Sequence, residues 1–142
     1  MGKFEKPWYK QTAKALRERN LLEARIKNAE IQIEQLKEDG EKITPSYRPS
    51  AGGTLHDGKA LLVLERVETL ERHVATLQKR VAMLNNALCA LTDEERYLIE
   101  LVFDLGVSGD TAAREMHLSK RSYYRKKDDT VRKIAEMLGF LR

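Results

Sequence analysis

Cysteine occurs once in these 142 residues, proline three times, and aromatic side chains make up only 6% of the chain. A lone Cys89 excludes an intramolecular disulfide, and the three histidines, His56, His73 and His117, fall in separate segments with no spacing suited to zinc. The chain is therefore expected to work in a reducing compartment without metal or cofactor. No uncharged run is long enough to cross a bilayer, and residues 1–10 carry charge without an apolar core of signal-peptide length. These absences predict a protein of the cytoplasm with no membrane partner. Scarce aromatics beside 34% charged residues suit long, exposed helices rather than a thick globular core, so the fold class expected is all-α. A chain of this length has room for one small domain plus an extended accessory element, and none for an elaborate enzyme. Not an enzyme is the expectation.

Proline and glycine are concentrated where the chain must turn. Residues 10–39 contain neither, and Leu22, Ile26, Ala29, Ile33 and Leu36 recur at alternating steps of four and three, the seam of one long helix. A loop follows over residues 40–56, with Pro45, Pro49, Gly52 and Gly53, which can continue neither neighbouring helix. Beyond it Ala60, Val67, Val74, Val81 and Leu88 fall seven apart, interleaved with Val63, Leu70, Leu77, Leu84 and Leu91. Five consecutive heptads with apolar residues at both seams predict a coiled-coil helix to about Leu91. At the α-helical rise the two helices reach roughly 45 and 52 Å, long enough to need partners and similar enough to pair as a hairpin. Branched Val at one seam and Leu at the other also suits a parallel pair between chains. The expectation is a two-helix coiled-coil hairpin over residues 1–91, with homodimerisation through the faces it leaves open. Gly53, Gly58 and Lys59 mimic a phosphate-binding loop, but Ala60 stands where a magnesium-holding hydroxyl belongs and no strand precedes it, which excludes a nucleotide site there.

The heptads stop at Thr92-Asp93-Glu94-Glu95, whose T-x-x-E spacing lets Thr92 and Glu95 cap a new helix reciprocally. Its acidic first turn suits the helix dipole and is more simply explained so than as a catalytic cluster. Leu98, Leu101, Val102 and Leu105 form its apolar stripe, and Gly106 ends it in the left-handed region. Ser108 caps a second, short helix holding Ala112, Ala113 and Met116. The turn His117-Leu118-Ser119 follows, with Leu118 as its apolar anchor, and Ser119 caps a third helix. At 100° per residue, Tyr123, Lys127, Thr130, Val131, Ile134 and Leu138 share the core side of that helix, with Arg121, Tyr124, Arg125 and Asp128 outward.

Charge divides along the same line. Residues 92–110 hold one base, Arg96, against six acids, whereas residues 114–133 hold eight bases against three acids. A sign change within one small domain points a basic face at a polyanion. Three capped helices over residues 92–142, with an alanine pair at the crossing, a tight turn and a basic third helix, predict a helix-turn-helix for double-stranded DNA. Arg121 and Arg125 would reach guanine edges, and Lys120 and Tyr124 phosphates; Ser122, Asp128 and Arg114 complete the expected contact set. The plainer reading is a three-helix cap whose arginines are merely solvated; the joint occurrence of cap, alanine pair, turn and basic helix weighs against it. In the basic N-terminal segment, Trp8 is expected to pack against the stalk, the alternative being that Lys3, Lys6, Lys10 and Lys14 add phosphate contacts.

The stretch from Leu91-Thr92-Asp93-Glu94-Glu95-Arg96 to Ser119-Lys120-Arg121-Ser122-Tyr123-Tyr124-Arg125 resembles the helix-turn-helix of sigma factor region 4, which reads a promoter element. A heptad-rich half with a Pro/Gly loop, joined to such an end, is similar to the small phage transcription regulators of the RinA and ArpU type. In architecture the likeness spans nearly the whole chain, in motif about the last fifty residues. It implies an activator of late phage genes in the bacterial cytoplasm. The chain departs from the pattern at His117, where the turn usually has glycine, and at Gly109, which weakens the second helix. Two other functions compete: a DNA-packaging protein of the small-terminase kind, which joins the same parts in a ring, and a stalk that binds host RNA polymerase.

Overall fold

A computed structural model of the protein describes residues 6–43 and 53–141. Their regular structure is all helical, joined by short turns, with no strand among them. The α-helices are α1 (Pro7–Ile43), α2 (Gly53–Cys89), α3 (Asp93–Ile99), α4 (Gly109–Glu115) and α5 (Lys120–Leu138), and α3 runs on into a π-helical turn, Glu100–Asp104. The chain divides into two compact units, residues 22–80 and residues 1–21 with 81–142.

In the unit of residues 22–80, each seam residue read from the sequence is buried or half-buried, and between them the helices face solvent. Ala29 and Ile33 of α1 form one core with Val67 and Val74 of α2, and Ile26, Leu36, Val63 and Leu70 pack around it. Lys37 and Glu71 pair across the two helices at 3.6 Å. Both helices extend into the region expected to be a loop. α1 passes through Gly40 to Ile43, and α2 is already formed at Gly53. One glycine costs a helix about 1 kcal/mol, which packing easily outweighs; the Gly40 backbone lies against Val63, where a Cβ would sit 3.5 Å from its methyl. The remaining connection, with Pro45, Pro49 and Gly52, lies outside the described residues. Gly53, Gly58 and Lys59 are all within α2, where the amides of Gly58 and Lys59 are committed to the helix.

The other unit joins the base of the long helices to the three short ones. α1 begins at Pro7, earlier than its seam implies, because proline at a first helical position forfeits no bond. Thr12 is fully buried and donates to the Trp8 carbonyl at 2.7 Å. Thr92 and Glu95 cap α3 reciprocally as expected, the Thr92 amide donating to Glu95 Oε1 at 3.0 Å and the Glu95 amide to Thr92 Oγ1 at 3.2 Å.

The stripe expected after this cap is only half right. Leu98 and Leu101 are buried, but Val102 is half-buried and Leu105 exposed, while Ile99 and Phe103 take the inward positions. Ile99 stands beside Leu98 at the end of α3, ahead of the π turn; for Phe103 and the residues after it, the cause is that turn. Its widened ring, closed by the Leu105 amide on the Glu100 carbonyl at 2.8 Å, advances the phase by about one residue. Phe103 and Asp104 are thereby turned toward α1, where Arg17 lies 5.7 Å over the Phe103 ring and Arg19 pairs with Asp104 at 3.1 Å. Gly106 then reverses the chain at φ 65°, in the left-handed region expected of it.

Candidate nucleic-acid interface

Two hydroxyl caps set the last two helices. Ser108 Oγ accepts from the Thr111 amide and Ser119 Oγ from the Ser122 amide, each at 3.2 Å. Between them, Met116 and the left-handed His117, at φ 56°, make the turn. The Leu118 amide donates back to the Ala113 carbonyl at 2.9 Å, closing the end of α4. His117 is the one non-glycine residue with positive φ among the described residues, a conformation its side chain tolerates better than a branched one would. Ala112 and Ala113 are buried where α4 approaches its neighbours, and Leu118 is half-buried.

α5 presents two unlike faces. Tyr123, Thr130, Val131, Ile134 and Ala135 are buried, and Arg121, Tyr124, Arg125 and Asp128 are exposed, as the helical wheel implies. Ser122, Lys120 and Arg114 are exposed as well. Lys127 and Leu138, expected in the core, are only half-buried, which suits Lys127: its ammonium stays at the rim, 5.8 Å from the Tyr9 ring and 5.9 Å from that of Tyr124. Trp8 departs from the expectation in the same direction. Rather than resting on the stalk alone, its half-buried ring carries the Arg132 guanidinium of α5 at 5.6 Å. Arg is drawn there by the ring quadrupole.

Gly109 also acquires a reason. A Cβ at this position would stand 2.5 Å from the Tyr124 hydroxyl and 3.6 Å from the Tyr123 ring. The glycine therefore costs α4 some helix propensity and in return lets the two tyrosines, edge to face at 5.0 Å, close over its first turn. The signal was in the sequence as a glycine directly after a capping serine, where propensity asks for none; its partner fifteen residues on was not.

The acidic block of residues 92–110 serves α5 internally. Glu94 pairs with Lys126 at 2.8 Å, Glu95 with Lys133 at 2.9 Å and Asp110 with Lys120 at 3.0 Å. Burial alone would raise the Glu95 carboxyl, but hydrogen bonds from Lys133 and Thr92 outweigh it and hold the group below the ordinary carboxylate range. The hydrogen bond to Asp110, then its charge, hold Lys120 above the usual lysine value. Burial and the Glu115 carboxylate push the Tyr97 phenol up, its hydroxyl donating to Glu115 at 3.4 Å. Three lysines of the basic stretch are thus tied to acids, and Lys120 is less free than the sequence suggested. Arg114, Arg121 and Arg125 have no ion pair among the described residues. What the arrangement can do chemically is recognise an anion with planar, bidentate donors on a rigid helix. No group of acids, histidines and cysteine among the described residues could hold a metal, and no helix is long and apolar enough to cross a membrane.

No protein-family model, curated protein or solved structure matches this chain.

Proposed function

We propose that this protein is a sequence-specific regulator of transcription that binds double-stranded DNA. In this reading α3, α4 and α5 form a helix-turn-helix domain, α5 enters the major groove, and α1 and α2 fold back on each other as a coiled-coil hairpin through which two copies associate. The observation that carries it is the division of α5: one flank locked among buried apolar side chains, the other offering Arg121, Tyr124 and Arg125, with both arginines free of acids among the described residues. Arginine on such a helix pairs with guanine O6 and N7, and Ser122 and Arg114 stand at the same end for phosphate or base contacts. Asp128, one helical turn beyond Arg125, can accept from a cytosine amine or keep Arg125 from wandering. The resemblance of the sequence to phage regulators supports an action in a bacterial host, as an activator of late genes, with RNA polymerase as the protein it would recruit.

The test is selection of bound fragments from random duplex DNA, followed by titration of variants. Arg121→Ala is expected to cost about 1–3 kcal/mol at the selected site and to relax base preference at one position, whereas Lys120→Ala weakens all sequences alike. Equal loss on selected and random DNA after Arg121→Ala would refute the assignment of α5. Mass measurement in solution separates a dimeric regulator from a packaging protein, which would form a closed ring of many subunits.

A further inference from the structure

The lysines and arginines of α5 are used differently. Lys120, Lys126 and Lys133 are tied to acids, and Lys127 lies between the rings of Tyr9 and Tyr124. Arg121, Arg125 and Arg132 are exposed and make no ion pair among the described residues. At 100° per residue these three arginines fall within about 40° of one another, so they share one line of the helix. Arg132 differs from the other two in having a support from outside α5. Its guanidinium lies over the half-buried Trp8 ring of α1, 5.6 Å from the centroid. Asp128 and Asp129 stand four and three residues before it, the spacings at which helical side chains pair, yet neither holds it.

We propose that Arg132 is a further contact of α5 with DNA, clamping a phosphate at the edge of the site, and that Trp8 is the residue that positions it. The inference rests on the DNA-binding reading of α5 and adds a contact and its support to that reading. Distance along the helix separates the tasks. Arg121 and Arg125 stand about 6 Å apart along the axis, within the width of a major groove of about 12 Å, whereas Arg132 lies about 16.5 Å beyond Arg121. A helix that enters the groove by its first turns therefore carries Arg132 past the base edges to the rim, where the backbone runs. There a guanidinium meets phosphate oxygens, which its fork can take in pairs. The indole face is what keeps that fork ready. It holds the cation through its quadrupole and offers no lone pair to the N–H groups, so Arg132 is fixed in place with its donors unspent. An arginine held this way gives up less freedom on meeting an anion than a loose one, and has no carboxylate to leave first.

The experiment uses the full chain and the selected duplex, with affinity measured from low to high salt and phosphate contacts mapped by ethylation interference. Arg132→Gln should reduce the slope of log affinity against log salt by about 0.9, the value of one phosphate contact. It should also lose interference at the edge of the site, fall by the same factor on selected and random DNA, and keep the base preference; Arg132→Lys, which retains the charge, should keep the slope. Trp8→Leu should lower affinity in the unaltered protein and not in the Arg132→Gln background, because nothing is left there to position. A ring that only fastened α1 to α5 would lower affinity by the same factor in both backgrounds, and that result overturns the role given to Trp8. An unchanged slope and interference map in Arg132→Gln, with Arg121→Ala still relaxing base preference, overturns the phosphate contact and leaves the role of α5 standing. No binding of any duplex by the unaltered protein overturns both. Circular dichroism and thermal melting check folding, and should Trp8→Leu unfold, Trp8→Phe, with its weaker ring, must still lower affinity only where Arg132 is present for the inference to hold.

Discussion

Residues 22–80 and the unit of residues 1–21 with 81–142 are both built of helices, yet they bury their apolar side chains by different means. In the first, one seam repeats along two helices, its most buried members, Leu77 and Leu22, keep 2% and 4% of their surface, and Ile31, Leu61, Leu62 and Leu64 lie outside in solvent. In the second, Leu98, Ala112, Val131, Ile134 and Ala135 are fully enclosed, and acids from α3 and α4 hold lysines of α5. Two helices can cover only one face of each other, whereas three short helices against the base of longer ones close a core on every side. The repeating unit is expected to tolerate change at any one layer better. The enclosed unit depends on particular neighbours.

Replacing one enclosed residue should break that contrast most visibly. Ile134→Ala is expected to cost toward the upper part of the range of about 2–5 kcal/mol for such truncations, and Ile33→Ala, with part of its side chain already in water, toward the lower end. Urea unfolding of both variants measures the difference, and equal losses would show that the repeating core is as unforgiving as the enclosed one.

A smaller effect is expected at the start of α3. Thr92→Ala removes the hydroxyl that accepts from the Glu95 amide, a cap worth about 1 kcal/mol, while the backbone amide at position 92 can still donate to the Glu95 carboxylate. Because the Glu95 carboxyl is held below its usual 4.5 in the folded chain, it contributes stability that is complete above that pH and is lost as pH falls through the folded value. Melting temperatures taken from pH 6 downward should therefore drop less steeply in Glu95→Gln than in the unaltered protein. Parallel curves would mean that the Lys133 and Thr92 contacts do not favour the charged form.

The smallest change in stability belongs to Gly109→Ala. Added helix propensity of about 1 kcal/mol opposes the contact with the Tyr124 hydroxyl, whose exposed ring end can swing aside, so the net should stay within about 1 kcal/mol of zero. DNA affinity should fall nonetheless, because Tyr124 is displaced. In a Tyr124→Phe background the alanine should cost less affinity than in the unaltered protein; an equal cost would place the defect elsewhere.

Much of this construction was legible before any coordinates, for a physical reason: seams and caps are local. The seven-residue period fixes the buried line of α1 and α2 whatever the partner is. Thr92, Ser108 and Ser119 cap through atoms three residues away, and Gly106 was identifiable as left-handed from its place after a helix. The division of α5 into Tyr123, Val131 and Ile134 against Arg121, Tyr124 and Arg125 followed from helical geometry alone. What escaped depended on residues far apart in the chain. Gly109 is explained by Tyr124 and Tyr123, Trp8 by Arg132, and the half-buried Lys127 in part by the Tyr9 ring near the other end of the sequence. The inward stripe after Leu98 was misread at Val102 and Leu105 because a hydrophobic pattern does not reveal a change of helical pitch.

That widened turn at Glu100–Asp104 has a consequence for how the sequence can vary in length. A π turn accommodates one residue more than a regular helix would between the same two anchor points. Deleting Val102, ordinarily ruinous inside a helix, would here shorten a slack loop of backbone into standard α pitch and leave Leu98 upstream and Gly106 downstream at their present stations. Among the described helices, this is the segment where a loss of three nucleotides should be best absorbed.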